Sequence, residues 1–166
     1  RSRTASMVYS LTMGIRVRLS HQIDKLIDIT GTDQLRHVLS TVDSEALRDS
    51  EHGEGILLNA IRYRNQALIL ILIEENIQIN ARGLYGVTPL MLANAEVSKL
   101  LLQQGASVDD VDSEGKSALM YAVEAADFDK VAYLVAQGAD TQIRDSAGQT
   151  AADYAEALGF SLPGLK

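Results

Sequence analysis

The residues that could do chemistry sit mainly in one acidic stretch, Asp109 to Lys116, D-D-V-D-S-E-G-K. Asp110, Asp112, Glu114 and Gly115 match the first half of a D-x-D-x-[acid]-G calcium loop, in which carboxylates alternate around the ion. The twelfth position is Tyr121, where such a loop needs a bidentate glutamate, so no calcium site is predicted. There are three His and no Cys, and His52 lies in the polar loop 49–54, where an imidazole is normally solvated. No G-x-S-x-G, P-loop or G-x-G-x-x-G run occurs, and the remaining acids are scattered. The chain is therefore expected to be no enzyme and to need no cofactor or metal. One pair stands apart: Leu84 and Tyr85, side by side between Gly83 and Gly86. Either the glycines hold an apolar anchor out to a partner, or one side chain folds back onto a neighbouring loop.

The elements that carry these residues follow from Gly86 to Asp109, G-V-T-P-L-M-L-A-N-A-E-V-S-K-L-L-L-Q-Q-G-A-S-V-D. Thr88 is placed to cap a helix with its hydroxyl, and Pro89 at the first helical position loses no hydrogen bond. A second helix follows, with Leu100, Leu101 and Leu102 as its apolar face and Gly105 as its left-handed stop. The order T-P-L, A, L-L-L, G-A resembles the ankyrin repeat, a unit of about 33 residues built from a β-turn and two antiparallel helices. Positions equivalent to Thr88 fall at Gly55, Ser117 and Thr150, at spacings of 33, 29 and 33. In the unit that opens at Gly55, Asn76 replaces the terminal glycine, as the next most tolerant residue of a left-handed conformation.

The resemblance implies an all-α ankyrin-repeat solenoid of stacked helix pairs joined by β-turn loops, since no pair alone covers its apolar side. The units expected are a degenerate cap repeat over 21–50, repeats over 51–82, 83–111 and 112–144, and a C-terminal half-repeat over 145–166. The repeat over 83–111 is four residues short. Normal spacing from Val97 to Gly105 puts the gap between Ala93 and Val97, which predicts a first helix shortened by about one turn and a tight link through Asn94 and Ala95. Before the cap, residues 1–20 form an N-terminal extension expected to pack over the first layer. It opens without Met, so one reading takes residues 1–6 as vector-derived and Met7 as the native start. After Gly159, Phe160 and Leu162 are expected to cover the last layer.

Composition fits thin apolar layers: 46% hydrophobic residues, 5% aromatic and no Trp. The absence of cysteine suits a reducing, cytoplasmic setting. The alternative is a secreted or periplasmic protein, if the first 20 residues are the remnant of a targeting segment. No apolar run is long enough to span a bilayer. Net charge is -7, and residues 19–166 carry 22 acidic against 11 basic residues. Such a body repels nucleic-acid phosphate and attracts a partner with a basic face.

From the resemblance, the function expected is non-catalytic protein binding by a monomeric chain, through loop tips and exposed first-helix positions. In this sequence those are Glu51, His52, Glu54, Arg62 and Tyr63; Arg82, Leu84, Tyr85 and Val87; Ser113, Glu114, Lys116 and Glu124; and Arg144, Ser146 and Gln149. The missing turn is expected to leave a notch with Tyr63, Leu84 and Tyr85 on its rim. The alternative is a regulatory or inhibitory subunit, antitoxin-like or kinase-inhibitor-like, devoted to one partner enzyme.

Overall fold

A computed structural model describes residues 55–161. The N-terminal extension, the cap repeat, Glu51, His52, Glu54 and Leu162 lie outside the described residues. Among those described there are seven α-helices and no strand: α1 (Ile56–Arg62), α2 (Gln66–Glu74), α3 (Pro89–Leu92), α4 (Ala95–Gln103), α5 (Ala118–Glu124), α6 (Phe128–Ala136) and α7 (Ala151–Ala157). Helices α1, α3 and α5 each pair with the one that follows, and α7 is the last described helix. The first helices α1, α3, α5 and α7 touch in sequence, as do the second helices α2, α4 and α6. This is the expected all-α solenoid.

The stacking is driven by apolar residues at helical spacing. Leu57, Leu68, Leu72, Leu90, Leu101, Leu119 and Leu134 are buried without a gap from one pair to the next. Each such side chain contributes about 2 kcal/mol on leaving water. On α4 the apolar face is narrower than expected: Val97 and Leu101 are buried, whereas Leu100 and Leu102 are half-buried. No unit reaches beyond its neighbours, so one stripe of leucines is covered and the flanking ones lie at the edge.

The helix stops are as expected. Gly105 and Gly138 adopt φ +87° and +85°, and Asn76 takes the same left-handed region at 53°. The start at Thr88 differs. Ser117 and Thr150 accept the first-turn amides of Met120 and Asp153, the third residues of their helices, at 3.4 and 3.3 Å, but the buried Thr88 hydroxyl oxygen accepts nothing. The Thr88 backbone N–H instead donates to Met91 Sδ at 3.3 Å. A thioether stands here where α7 has the carboxylate of Asp153, which binds both the amide and the hydroxyl of Thr150.

The short repeat has the shortened first helix its spacing requires, but the link lies one residue earlier than expected, because Asn94 caps α4 and Ala95 is already its first residue. Helix α3 has four residues against seven in α1 and α5, and its link has two, Ala93 and Asn94, against three in 63–65 and 125–127. The two differences together account for the four missing residues. Both long links hold a non-glycine residue at positive φ, Arg64 at 55° and Ala126 at 51°, and the short link holds none. Asn94 Oδ1 caps α4 by accepting from Val97 N at 3.0 Å, as Asn65 and Asp127 cap α2 and α6. At the far end, Phe160 meets Phe128 edge-on with centroids 5.2 Å apart, which covers the last layer.

Candidate partner-binding surface

The loops before α3, α5 and α7 are tight hairpin tips, each closed by the same two backbone bonds. Gly83, Asp112 and Asp145 donate to Val87, Lys116 and Gln149, while Gly86, Gly115 and Gly148 donate back to Gly83, Asp112 and Asp145. The tips nest on one another. Ser113 N donates to Tyr85 O and Ser146 N to Glu114 O, both at 2.7 Å. A Cβ on Gly115 would stand 3.1 Å from Asp145 Cα, so that closeness needs glycine.

The last two tips share an internal brace. Asp112 Oδ1 accepts the amides of Glu114 and Lys116, and Oδ2 accepts the Tyr121 hydroxyl at 2.8 Å. Asp145 Oδ1 likewise accepts from Ala147 and Gln149, and Oδ2 accepts the Tyr154 hydroxyl at 2.6 Å. That phenol and those amides hold the Asp145 carboxyl below its usual range. Burial, reinforced by the Asp112 bond, pushes Tyr121 up to about 12. In the tip at 82–87 both members are missing, because Gly83 and Leu92 occupy the Asp and Tyr places.

Without that carboxylate, the tip takes another path. Tyr85 adopts φ 59°, ψ 19° and is followed by Gly86 at φ 75°. Two consecutive left-handed residues suit Asn-Gly and cost a tyrosine about 1 kcal/mol or more. Among the described tips it is the only non-glycine residue so placed. Its ring is 79% exposed and Leu84 60%, so neither folds back onto a neighbour.

The other expected contact residues divide by what already holds them. Lys116 Nζ binds Glu124 Oε1 at 2.9 Å and lies over the Tyr154 ring. The Glu124 bond keeps its ammonium charged well above the ordinary lysine range. Arg82 spans to Val111 O at 2.8 Å and Asp110 at 3.3 Å, and Arg144 donates to Gly148 O. Val87 packs against the core. Ser113, Glu114, Ser146 and Gln149 are exposed on the tips. Tyr63 is 64% exposed at the end of α1. The expected single rim does not form, because Tyr63 stands at the link end of a first helix and Leu84 with Tyr85 at the tip end. A seven-residue helix separates the two ends by about 10 Å.

A model of ankyrin repeats, in three copies, matches residues 57–145 and 94–160. The chain belongs to the ankyrin-repeat family. It is 38% identical over 89 residues to human ankyrin repeat domain-containing protein 63, covering 49% of this chain and 23% of that protein. To the E3 ubiquitin-protein ligase KEG of Arabidopsis thaliana it is 24% identical over 159 residues, 90% of this chain and 9% of the ligase. To the mouse B-cell lymphoma 3 protein homolog it is 26% identical over 141 residues, covering 80% of this chain and 32% of that protein. The chain thus spans under a third of each of these relatives. Ankyrin arrays bind other proteins, and among the described residues none of the helices is long and apolar enough to cross a membrane. Among those residues no group of three His, Cys, Asp or Glu is placed to hold a metal ion.

One residue of this ankyrin array escaped the reading of the sequence. Lys130, the third residue of α6, is only 2% exposed, and its Nζ donates to Met91 O at 3.1 Å and Ala93 O at 2.7 Å. Burial pushes its ammonium down to about 8, against a smaller upward pull from Asp127. The signal was present in the register, since Leu68 and Val97 hold the same place in α2 and α4.

Proposed function

We propose that this ankyrin array is a non-catalytic binding module whose partner protein anchors on Leu84 and Tyr85 at the second tip. The observation that supports it is the unbraced tip, in which a left-handed tyrosine keeps an apolar ring in water while its sister tips carry small or charged residues at the same place. Backbone strain and exposed apolar area both cost stability, and they coincide at one spot. The exposed acids farther along, Glu114, Glu124, Asp153 and Glu156, favour a partner that presents basic residues beside an apolar anchor. The other expected tip residues, Ser113, Ser146 and Gln149, with Arg144 and Arg62, then form the polar rim.

The test uses the chain as bait against a lysate of its source cells, in parent and Tyr85→Ala forms, with the retained proteins identified by mass spectrometry. Loss of a retained protein by about tenfold or more on Tyr85→Ala, the size of an anchor residue, is the expected result. Equal retention by both forms would overturn the anchor.

A further inference from the structure

A four-residue helix cannot hold itself. It closes a single turn, and its last carbonyls have no amide ahead of them. In the long repeats the chain supplies those amides itself: Asn65 N and Asp127 N turn back to Ala60 O and Ala122 O at 3.0 Å. The short repeat has no room for that turn. The donor comes instead from the next repeat, where Lys130 Nζ reaches Met91 O and Ala93 O. The place it occupies is apolar in the other second helices, so the lysine accompanies the deletion and not the general pattern.

We propose that Lys130 stands in for the deleted turn: its ammonium, delivered from the third repeat, is the C-terminal cap of α3 and holds the tip at the other end of that helix in its left-handed form. Charge and geometry agree. The carbonyl end of a helix favours a cation, and hydrogen bonds from an ionised donor offset part of the desolvation. Of the charged groups on elements packed around it, Asp127 is the one whose field acts on the ammonium. Glu96 and Lys99 on α4, and Tyr121 and Glu124 on α5, are spent elsewhere or exposed. The clamp and its hold on the tip stand without the function proposed above.

The test is a cycle of unfolding measurements in urea on the full chain. One arm is Lys130→Met. The second inserts Val-Glu-Ala-Ala between Ala93 and Asn94, copying 123–126 of the third repeat, and the third combines both changes. Each single change is expected to lower the folding equilibrium constant about tenfold or more, and the combination to recover most of that, since neighbours that share one job are not additive. A cycle in which the single effects multiply, or a Lys130→Met chain as stable as the parent, overturns the clamp. Should Lys130→Met alone fail to fold, folding of the combination still supports it and failure of both refutes it. Amide exchange reads the tip. Ser113, which donates to Tyr85 O, should exchange about tenfold faster in Lys130→Met while Ser146, one tip farther on, should not. Equal change at the two amides would show that Lys130 does not act on the tip.

Discussion

The second and third described repeats follow one plan, yet differ at both ends of the first helix. The third has seven helical residues, a three-residue link with a left-handed alanine, and a tip braced by Asp112 and Tyr121. The second has four residues, a two-residue link in ordinary conformation, and a tip with neither brace residue. The buried leucine row nevertheless runs through both without interruption. In an array where each unit leans only on its neighbours, a defect is absorbed if the layer contacts survive it. The second repeat therefore relies more on its neighbour, through Lys130 at the link, while its tip receives from Ser113 the same bond that the third receives from Ser146.

The largest test of that view lies in the shared core. Leu101 and Leu134 are both wholly buried, so Leu101→Ala and Leu134→Ala should each cost about 3 kcal/mol in urea unfolding and agree within about 1 kcal/mol. A much smaller loss at Leu101 would mean the short repeat is loosely packed. The next effect is set by pH. The Lys130 pKa falls from 10.5 in the unfolded chain to about 8 in the fold, so between those values the unfolded state holds the extra proton. Stability relative to Lys130→Met should therefore rise with pH across that window, by on the order of 2 kcal/mol, and a flat difference would refute the buried ammonium. At the tips, Asp112→Ala strips two amides and the Tyr121 hydroxyl of their acceptor. It should cost about 2 kcal/mol by calorimetry, where Arg82→Ala in the unbraced tip should cost under about 1 kcal/mol because its ion pair is exposed. The smallest effect has the opposite sign. Tyr85→Asn creates the Asn-Gly pair that this backbone prefers and should raise stability by about 0.5 kcal/mol while abolishing partner retention.

Much of this was legible because repetition lets one unit read another. Pro89, Asn76 and Gly105 declared their places through backbone preference alone, and the missing residues could be counted to within a link. The buried lysine was not legible from its own type, since lysine is ordinarily a surface residue, and only alignment with Leu68 and Val97 marks it. Thr88 has the right residue for a cap, but the capping bond depends on Met91 three positions on. The supposed common rim of Tyr63 and Tyr85 failed for a geometric reason: adjacency along an array says nothing about which end of a helix a residue occupies. That Leu84 and Tyr85 both face outward could not be read from the glycines beside them, because it turns on the absent carboxylate at Gly83.

Every backbone amide that crosses from one described unit to another comes from the later unit: Ser107 to Asn80, Ser113 to Tyr85, Asp140 to Asp109 and Ser146 to Glu114. The array thus has a grain. During synthesis, each newcomer brings the backbone amides that fasten it, and the unit already made adds two side-chain donors, Asn80 to Gly105 O and Arg82 to Val111 O, so the structure can grow course by course behind the ribosome. Fraying from the C-terminal end leaves mainly exposed oxygens that water satisfies readily, until it reaches α6, whose Lys130 binds Met91 O and Ala93 O of the short repeat.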